Sequence, residues 1–333
     1  MDIDSNDEQE QEHEEEEQQL PPVHLTLSNI RSLTTLLQAM KISAKQACTV
    51  VLAPEGVELH WADDSKSLRS SLQLRSELFS SYECGPPRRV FGVAMLQLVD
   101  ALAVFASASS AAPLQLHYPG PDGELQLELS DSGDAVDVDG GGAGCVMYAR
   151  IATQEQDLPS DMTDYWREPA SYFLLKGALL KEAVDDLEWP GGSVAIRLSR
   201  DPPALSMAAA GTGALEVHLS AADLSGFQVA EPQVQQRYRY KNLKASMCHI
   251  PDGKEVGGPV STKVSIDANG LLKVTHMVPL AGGRAPGGGS ATGQQQASMQ
   301  PSALSGFAAT QAALDSSRLG VMQFVSLPVD EED

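Results

Sequence analysis

At 333 residues, 42% of them hydrophobic, the chain is long enough for two packed domains, and no apolar run approaches the roughly 20 residues that span a bilayer. The formal net charge of −22 argues at first against a nucleic-acid partner. Its distribution changes the argument: residues 1–17 hold ten acidic side chains and no Lys or Arg, residues 330–333 add four more, and −8 remains for the body. The acidic N-terminus lacks an apolar signal core, and Cys48, Cys84, Cys145 and Cys248 are spread without CxxC or CxxH pairing, so reduced intracellular thiols are expected rather than disulfides or a structural zinc.

Residues 1–21 read as a solvated acidic tail on composition, and Pro21-Pro22 marks the entry to the fold. Val23, Leu25 and Leu27 then alternate with polar residues as in a half-buried strand. Ser28 is the expected cap of a helix whose apolar stripe is Ile30, Leu33, Leu36, Leu37 and Met40, with Arg31, Thr34, Thr35 and Gln38 on the other face. Residues 49–52 and 57–61 form a hairpin around Pro54, and residues 67–74 alternate again. A short strand at 89–91 leads into a helix over 93–105, a second hairpin spans 114–118 and 124–129, and a strand at 145–153 follows a Gly/Asp loop.

Residues 154–169 are acidic, bounded by proline and without periodicity, as expected of a linker between domains. The opening pattern then returns, with a strand at 171–175 and a helix at 177–187, about 150 residues on. Hairpin strands follow at 193–199 and 205–209, and residues 237–247 answer residues 89–102. Repetition at this period indicates two domains of one fold, since solenoid units are only about 20–50 residues long. The expected division is 22–153 for the first domain and 170–329 for the second, with strands at 262–266, 272–278 and 320–327 and an acidic tail at 330–333. A Gly/Ala/Ser/Gln stretch at 281–317 reads as an insertion in a hairpin of the second domain.

No GxSxG, P-loop, HExxH or dinucleotide fingerprint is present, and the histidines of the body, such as His60 and His276, occur singly. No metal and no cofactor is expected. Asp185 and Asp186 with Glu182 and Glu188 are the one carboxylate group a two-metal nuclease could use, against the simpler reading of a solvated helix end. Cations are more informative. Arg31, Lys41 and Lys45 lie on or just after the first helix, Lys176 and Lys181 on its repeat, and Arg239, Lys241 and Lys244 on the repeat of the second helix. A surface of this kind suits phosphate contacts that ignore base sequence.

Residues 29–40 (NIRSLTTLLQAM), 71–84 (SLQLRSELFSSYEC), 89–107 (RVFGVAMLQLVDALAVFAS), 237–244 (RYRYKNLK) and 263–278 (KVSIDANGLLKVTHMV), in this order and spacing, resemble the Rad-one-type subunit of the nine-one-one checkpoint sliding clamp. The resemblance implies an α+β fold of two tandem clamp domains, helices on the inner face and antiparallel sheets outside. It implies a non-catalytic nuclear subunit of a heterotrimeric ring, joined 1:1:1 to two paralogous clamp chains. A clamp loader would place that ring on double-stranded DNA, where it supports checkpoint kinase activation and recruits repair enzymes. The cations above would face DNA. Leu158, Met162, Tyr165 and Trp166, with Leu327, Pro328 and Val329, would form a groove for partner peptides. The alternatives are a 3′–5′ DNA exonuclease and a protein-only scaffold without DNA contact.

Overall fold

A computed structural model of the chain describes residues 21–40, 47–108, 112–131, 145–158, 162–189, 192–211, 213–280 and 319–329. In the N-terminal half, β1 (Val23–Leu27) feeds α1 (Ile30–Met40), followed by β2 (Ala47–Ala53), β3 (Gly56–Ala62), β4 (Leu68–Arg75) and the short β5 (Ser81–Glu83). Strand β6 (Arg89–Ala94) then runs into α2 (Met95–Ala108), and β7 (Leu114–Tyr118), β8 (Leu125–Asp131) and β9 (Cys145–Ile151) complete the half. The C-terminal half repeats the plan: β10 (Ser171–Lys176), α3 (Gly177–Asp185), β11 (Ser193–Ser199), β12 (Ala204–Ala210), β13 (Ala214–Leu219) and β14 (Gly226–Gln228). It continues with β15 (Gln233–Arg239), α4 (Tyr240–Met247), β16 (Ser261–Ile266), β17 (Leu272–Pro279) and β18 (Leu319–Ser326). The insertion expected at 281–317 and both acidic tails, apart from Pro21, lie outside the described residues.

The strands form three antiparallel sheets. A nine-stranded sheet, ordered β14-β10-β16-β17-β18-β4-β3-β2-β6, runs through both halves. Its seam is the pairing of β18 with β4, in which Gly320 faces Leu74, Met322 faces Leu72 and Ser326 faces Leu68. Each half adds a sheet of its own, β5-β1-β7-β8-β9 and β13-β12-β11-β15. Buried side chains of strands and helices from both halves join in one apolar cluster, from Val23 and Leu36 through Leu72 to Tyr238 and Phe324.

Local chemistry explains the elements. The cap of α1 is Asn29 rather than Ser28, because its Oδ1 accepts the Ser32 N–H at 3.1 Å. Thr34, expected on the free face, is buried between α1 and its surroundings, and its hydroxyl is satisfied by donating to the Ile30 carbonyl at 2.9 Å. The expected helix at 177–187 is α3 plus a 3₁₀ turn, Asp186–Glu188, which carries Leu187 into the core. The β2–β3 turn requires glycine at position 56: φ is +145°, and a Cβ there would lie 2.1 Å from the Leu74 carbonyl oxygen. Strand β13, absent from the elements expected above, has Leu215, Val217 and Leu219 alternating with exposed Glu216 and His218.

The two halves are also joined by polar contacts from α4. Asn242, buried, donates to the Ser326 hydroxyl at 3.0 Å and the Ser67 hydroxyl at 3.2 Å. Lys241 lies 3.8 Å from Asp63 in the β3–β4 loop. One end of α4 is therefore fixed against the seam.

Candidate nucleic-acid face and strand edges

The helices pack in pairs, α1 with α2 and α3 with α4. Their outward residues carry the cations expected to face DNA, and the structure treats these unequally. Arg31 is exposed on α1, with its Nε 3.4 Å from the Ala106 carbonyl near the end of α2, so it holds the pair together and answers the negative end of that helix. Lys176 is exposed at the end of β10, immediately before α3, and Lys181 is exposed in the middle of α3; among the described residues neither makes an ion pair. Arg239 is exposed at the end of β15, where the chain turns into α4. Lys241 faces Asp63, and Lys244 bonds the Glu188 carboxylate, which holds its ammonium above the usual lysine range. Lys41 and Lys45 lie outside the described residues.

The carboxylates weighed for metal chemistry are dispersed. Glu188 is taken by Lys244. Among the described residues no three His, Cys, Asp or Glu side chains converge to hold a metal ion. Burial pushes the Cys48 thiol up to about 12 and also raises Cys84 and Cys248, so none of the three is an activated nucleophile. Among the described residues no helix is long and apolar enough to cross a membrane.

The residues expected to form a peptide groove divide in two. Leu158, Tyr165 and Leu327 are exposed at 52%, 59% and 47%. Trp166 is held down: Lys273 stands over its ring at 4.1 Å and its Nε1–H donates to Glu168 at 3.1 Å. The adjoining Arg167 amide donates to Asp267 at 2.9 Å, which pins the linker to the β16–β17 turn. Past β18 the chain is stitched down, with the Leu327 N–H on the Ser67 carbonyl and the Val329 N–H on the Arg237 carbonyl, leaving Pro328 and Val329 half-buried. The Met162 side chain lies outside the described residues.

Two terminal strands complete the surface. Among the described residues β9 of the N-terminal sheet pairs with β8 alone, and Val146 and Tyr148 on it are 45% and 69% exposed. Among the described residues β13 of the C-terminal sheet pairs with β12 alone. Each offers a row of main-chain donors and acceptors to another chain.

A family model described as repair protein Rad1/Rec1/Rad17 matches residues 23–278, most of the chain and both of its halves. The chain belongs to the Rad1/Rec1/Rad17 family. Among curated proteins, mouse cell cycle checkpoint protein RAD1 is 24% identical over 261 residues, covering 76% of this chain and 85% of that protein. Among solved structures, the PCNA2–PCNA3 complex of Sulfolobus tokodaii matches with a TM-score of 0.61 at 11% identity, over 92% of this chain and 98% of the other. PCNA of Thermococcus kodakaraensis matches with the same TM-score of 0.61 at 15% identity, over 92% and 100%. This member of the Rad1 family therefore has the PCNA-like clamp fold, α+β, with tandem domains built mostly of antiparallel sheet. Strand β13 and the exposed Trp189 beside it are absent from the expected Rad1-type site. The alternation of Leu215, Val217 and Leu219 is the sequence signal that marks the strand.

Proposed function

We propose that this chain is one subunit of a heterotrimeric checkpoint clamp that encircles duplex DNA in the nucleus, with β9 and β13 as its two joints to paralogous clamp chains. The observation that carries the reading is one continuous sheet flanked by two sheets that, among the described residues, each end in a strand paired on one side only, β9 and β13. A subunit with such an edge in each half suits head-to-tail closure into a ring. One of the similar structures is itself a complex of two different clamp chains, which supports assembly with unlike partners.

Within the ring the helix pairs line the hole. Sliding requires weak contacts that ignore sequence, and exposed Lys176, Lys181 and Arg239 suit this better than a recognition helix. The net charge of −22 disfavours DNA anywhere but that lining. The chain acts by holding and recruiting rather than by catalysis. A clamp loader places the ring, which then serves as a platform for checkpoint kinase activation and for repair enzymes.

The test is retention of the assembled ring on closed circular DNA across a salt series. Lys176→Glu combined with Lys181→Glu is expected to shorten the lifetime on DNA at low salt and to flatten the dependence of log retention on log salt by about 1–2. Lifetimes unchanged at every salt would instead favour a scaffold without DNA contact. Magnesium-dependent loss of 3′ nucleotides, abolished by Asp185→Asn, would overturn the non-catalytic reading.

Partner peptides dock beside the linker, against Leu158, Tyr165 and Leu327, which are exposed while Trp166 is pinned. Tyr165→Ala with Leu327→Ala is expected to weaken repair-partner peptides about 10-fold or more in a fluorescence titration, with ring assembly intact. Unchanged affinity for every such peptide would remove the groove.

A further inference from the structure

Trp189 follows the 3₁₀ turn after α3 and is 67% exposed, whereas Trp61 is buried and Trp166 is pinned by Lys273. Its position is fixed by the absence of a side chain at Gly213. A Cβ there would lie 2.2 Å from the indole Cη2 and 2.8 Å from Cζ3, so the ring rests directly on the backbone that opens β13. Strand β13 has β12 on one side and, among the described residues, no strand on the other, with Leu215 and Val217 half-buried along it. An exposed aromatic ring seated on the strand's backbone and an open strand edge therefore form one continuous surface. An aromatic side chain already ordered in the free chain loses little conformational entropy on binding, which is the usual condition of a strong interface contact.

The chemistry around the ring specifies the occupant. Asp185 and Asp186 are exposed in the five residues that end at Trp189, whereas Glu188 among them is already held by Lys244. The unpaired backbone of β13 calls for an extended strand, the indole for an apolar side chain at its end, and the carboxylates for cations beside it. Two copies of this chain, each with −8 over its body and a further −14 in its tails, repel one another and do not fit that description. We propose that Trp189 is the anchor of the β13 joint and that its occupant is the edge strand of a different clamp chain, apolar where it meets the indole and cationic opposite the acidic turn. This assignment rests on the ring reading above.

The experiment uses the full chain and the two other chains of the assembled ring, with subunit affinity measured by dilution and by surface capture. Trp189→Ala is expected to weaken the β13 joint about 30-fold while leaving the β9 joint and the melting temperature unchanged. Trp189→Phe is expected to restore most of the affinity, and raising the salt is expected to weaken the joint further. Gly213→Ala, which lifts the indole from its seat without removing it, is expected to weaken the joint in the same direction. If the wild-type ring forms and Trp189→Ala joins it equally well, the anchor is wrong and the ring reading stands. If the wild-type chain binds no other clamp chain, the ring reading itself falls. Assembly of this chain alone into a Trp189-dependent oligomer would replace the proposed occupant with a second copy.

Discussion

Phe324→Ala is expected to lower the unfolding free energy by about 3–5 kcal/mol, read as a fall in the urea midpoint. Phe324 is 2% exposed on β18, opposite Val274 of β17 on one side and Ser70 of β4 on the other. Its ring meets the His276 imidazole edge-on, with centroids 5.8 Å apart. Truncation would leave a void on the strand that joins the two halves, where Met322 and Leu72 are already packed as neighbours across the seam. Typical domains are stable by only about 5–15 kcal/mol, so a loss of this size is a large share of the total. Val104→Ala is the contrast. Val104 is 52% exposed on α2, and its truncation is expected to change stability by less than about 0.5 kcal/mol. A Phe324→Ala chain as stable as the Val104→Ala chain would show that the halves fold without their seam.

The seam marks the boundary of what the amino-acid order reveals. The alternation of residues 320–327 identifies a strand, and the reappearance of a strand after the Gly-rich stretch shows that the stretch interrupts the fold without ending it. Neither feature says that this strand pairs with β4, some 250 residues earlier. Partner choice depends on which hydrophobic faces meet once both halves exist. The same holds within α1. A period of 3.6 separates an apolar stripe from a polar face, but it does not anticipate that Thr34 on the polar face is buried as well, its hydroxyl turned to the Ile30 carbonyl. The cap moved from Ser28 to Asn29 because both residue types fit the role and only the backbone path decides between them.

The cations follow the same logic. Helical positions made Lys241 and Lys244 readable as a charged face, whereas their acidic partners come from distant sequence. Asp63 belongs to the other half of the molecule, and Glu188 lies beyond the end of α3. Pairing neutralises much of what spacing alone credited to α4, and moves the emphasis to Lys176 and Lys181. Trp189 escaped for a related reason. An isolated Trp after an acidic turn is unremarkable in sequence, and acquires meaning only when Gly213 comes beneath it at the mouth of a free strand.

Acid is expected to destabilise the chain through His276. The imidazole is fully buried in β17, where Nε2–H donates to the Ser246 carbonyl at 2.6 Å and Nδ1 accepts from the Thr262 hydroxyl at 2.8 Å. Both nitrogens are thus satisfied in the neutral ring. Protonation would set the Nδ1 donor against a hydroxyl already donating, in a site fully buried from solvent. Burial accordingly pushes His276 down to about 4, from an ordinary value of 6.5. The sign follows from proton counting: between these values the unfolded chain holds a proton that the folded chain lacks, so stability falls as pH is lowered through this window. The loss is complete near the folded value and approaches about 3 kcal/mol, and it vanishes above the unfolded value. Carboxylates titrate over part of the same range, so the measurement is a comparison. His276→Gln can donate to Ser246 and accept from Thr262 but cannot take up the proton. It is expected to be less stable than wild type at pH 7 from imperfect packing, and to lose less stability on acidification, so that urea midpoints of the two chains converge between pH 6.5 and about 4. Parallel midpoints over that range would mean that His276 accepts its proton in the folded state, and that the Thr262 hydroxyl turns to let it.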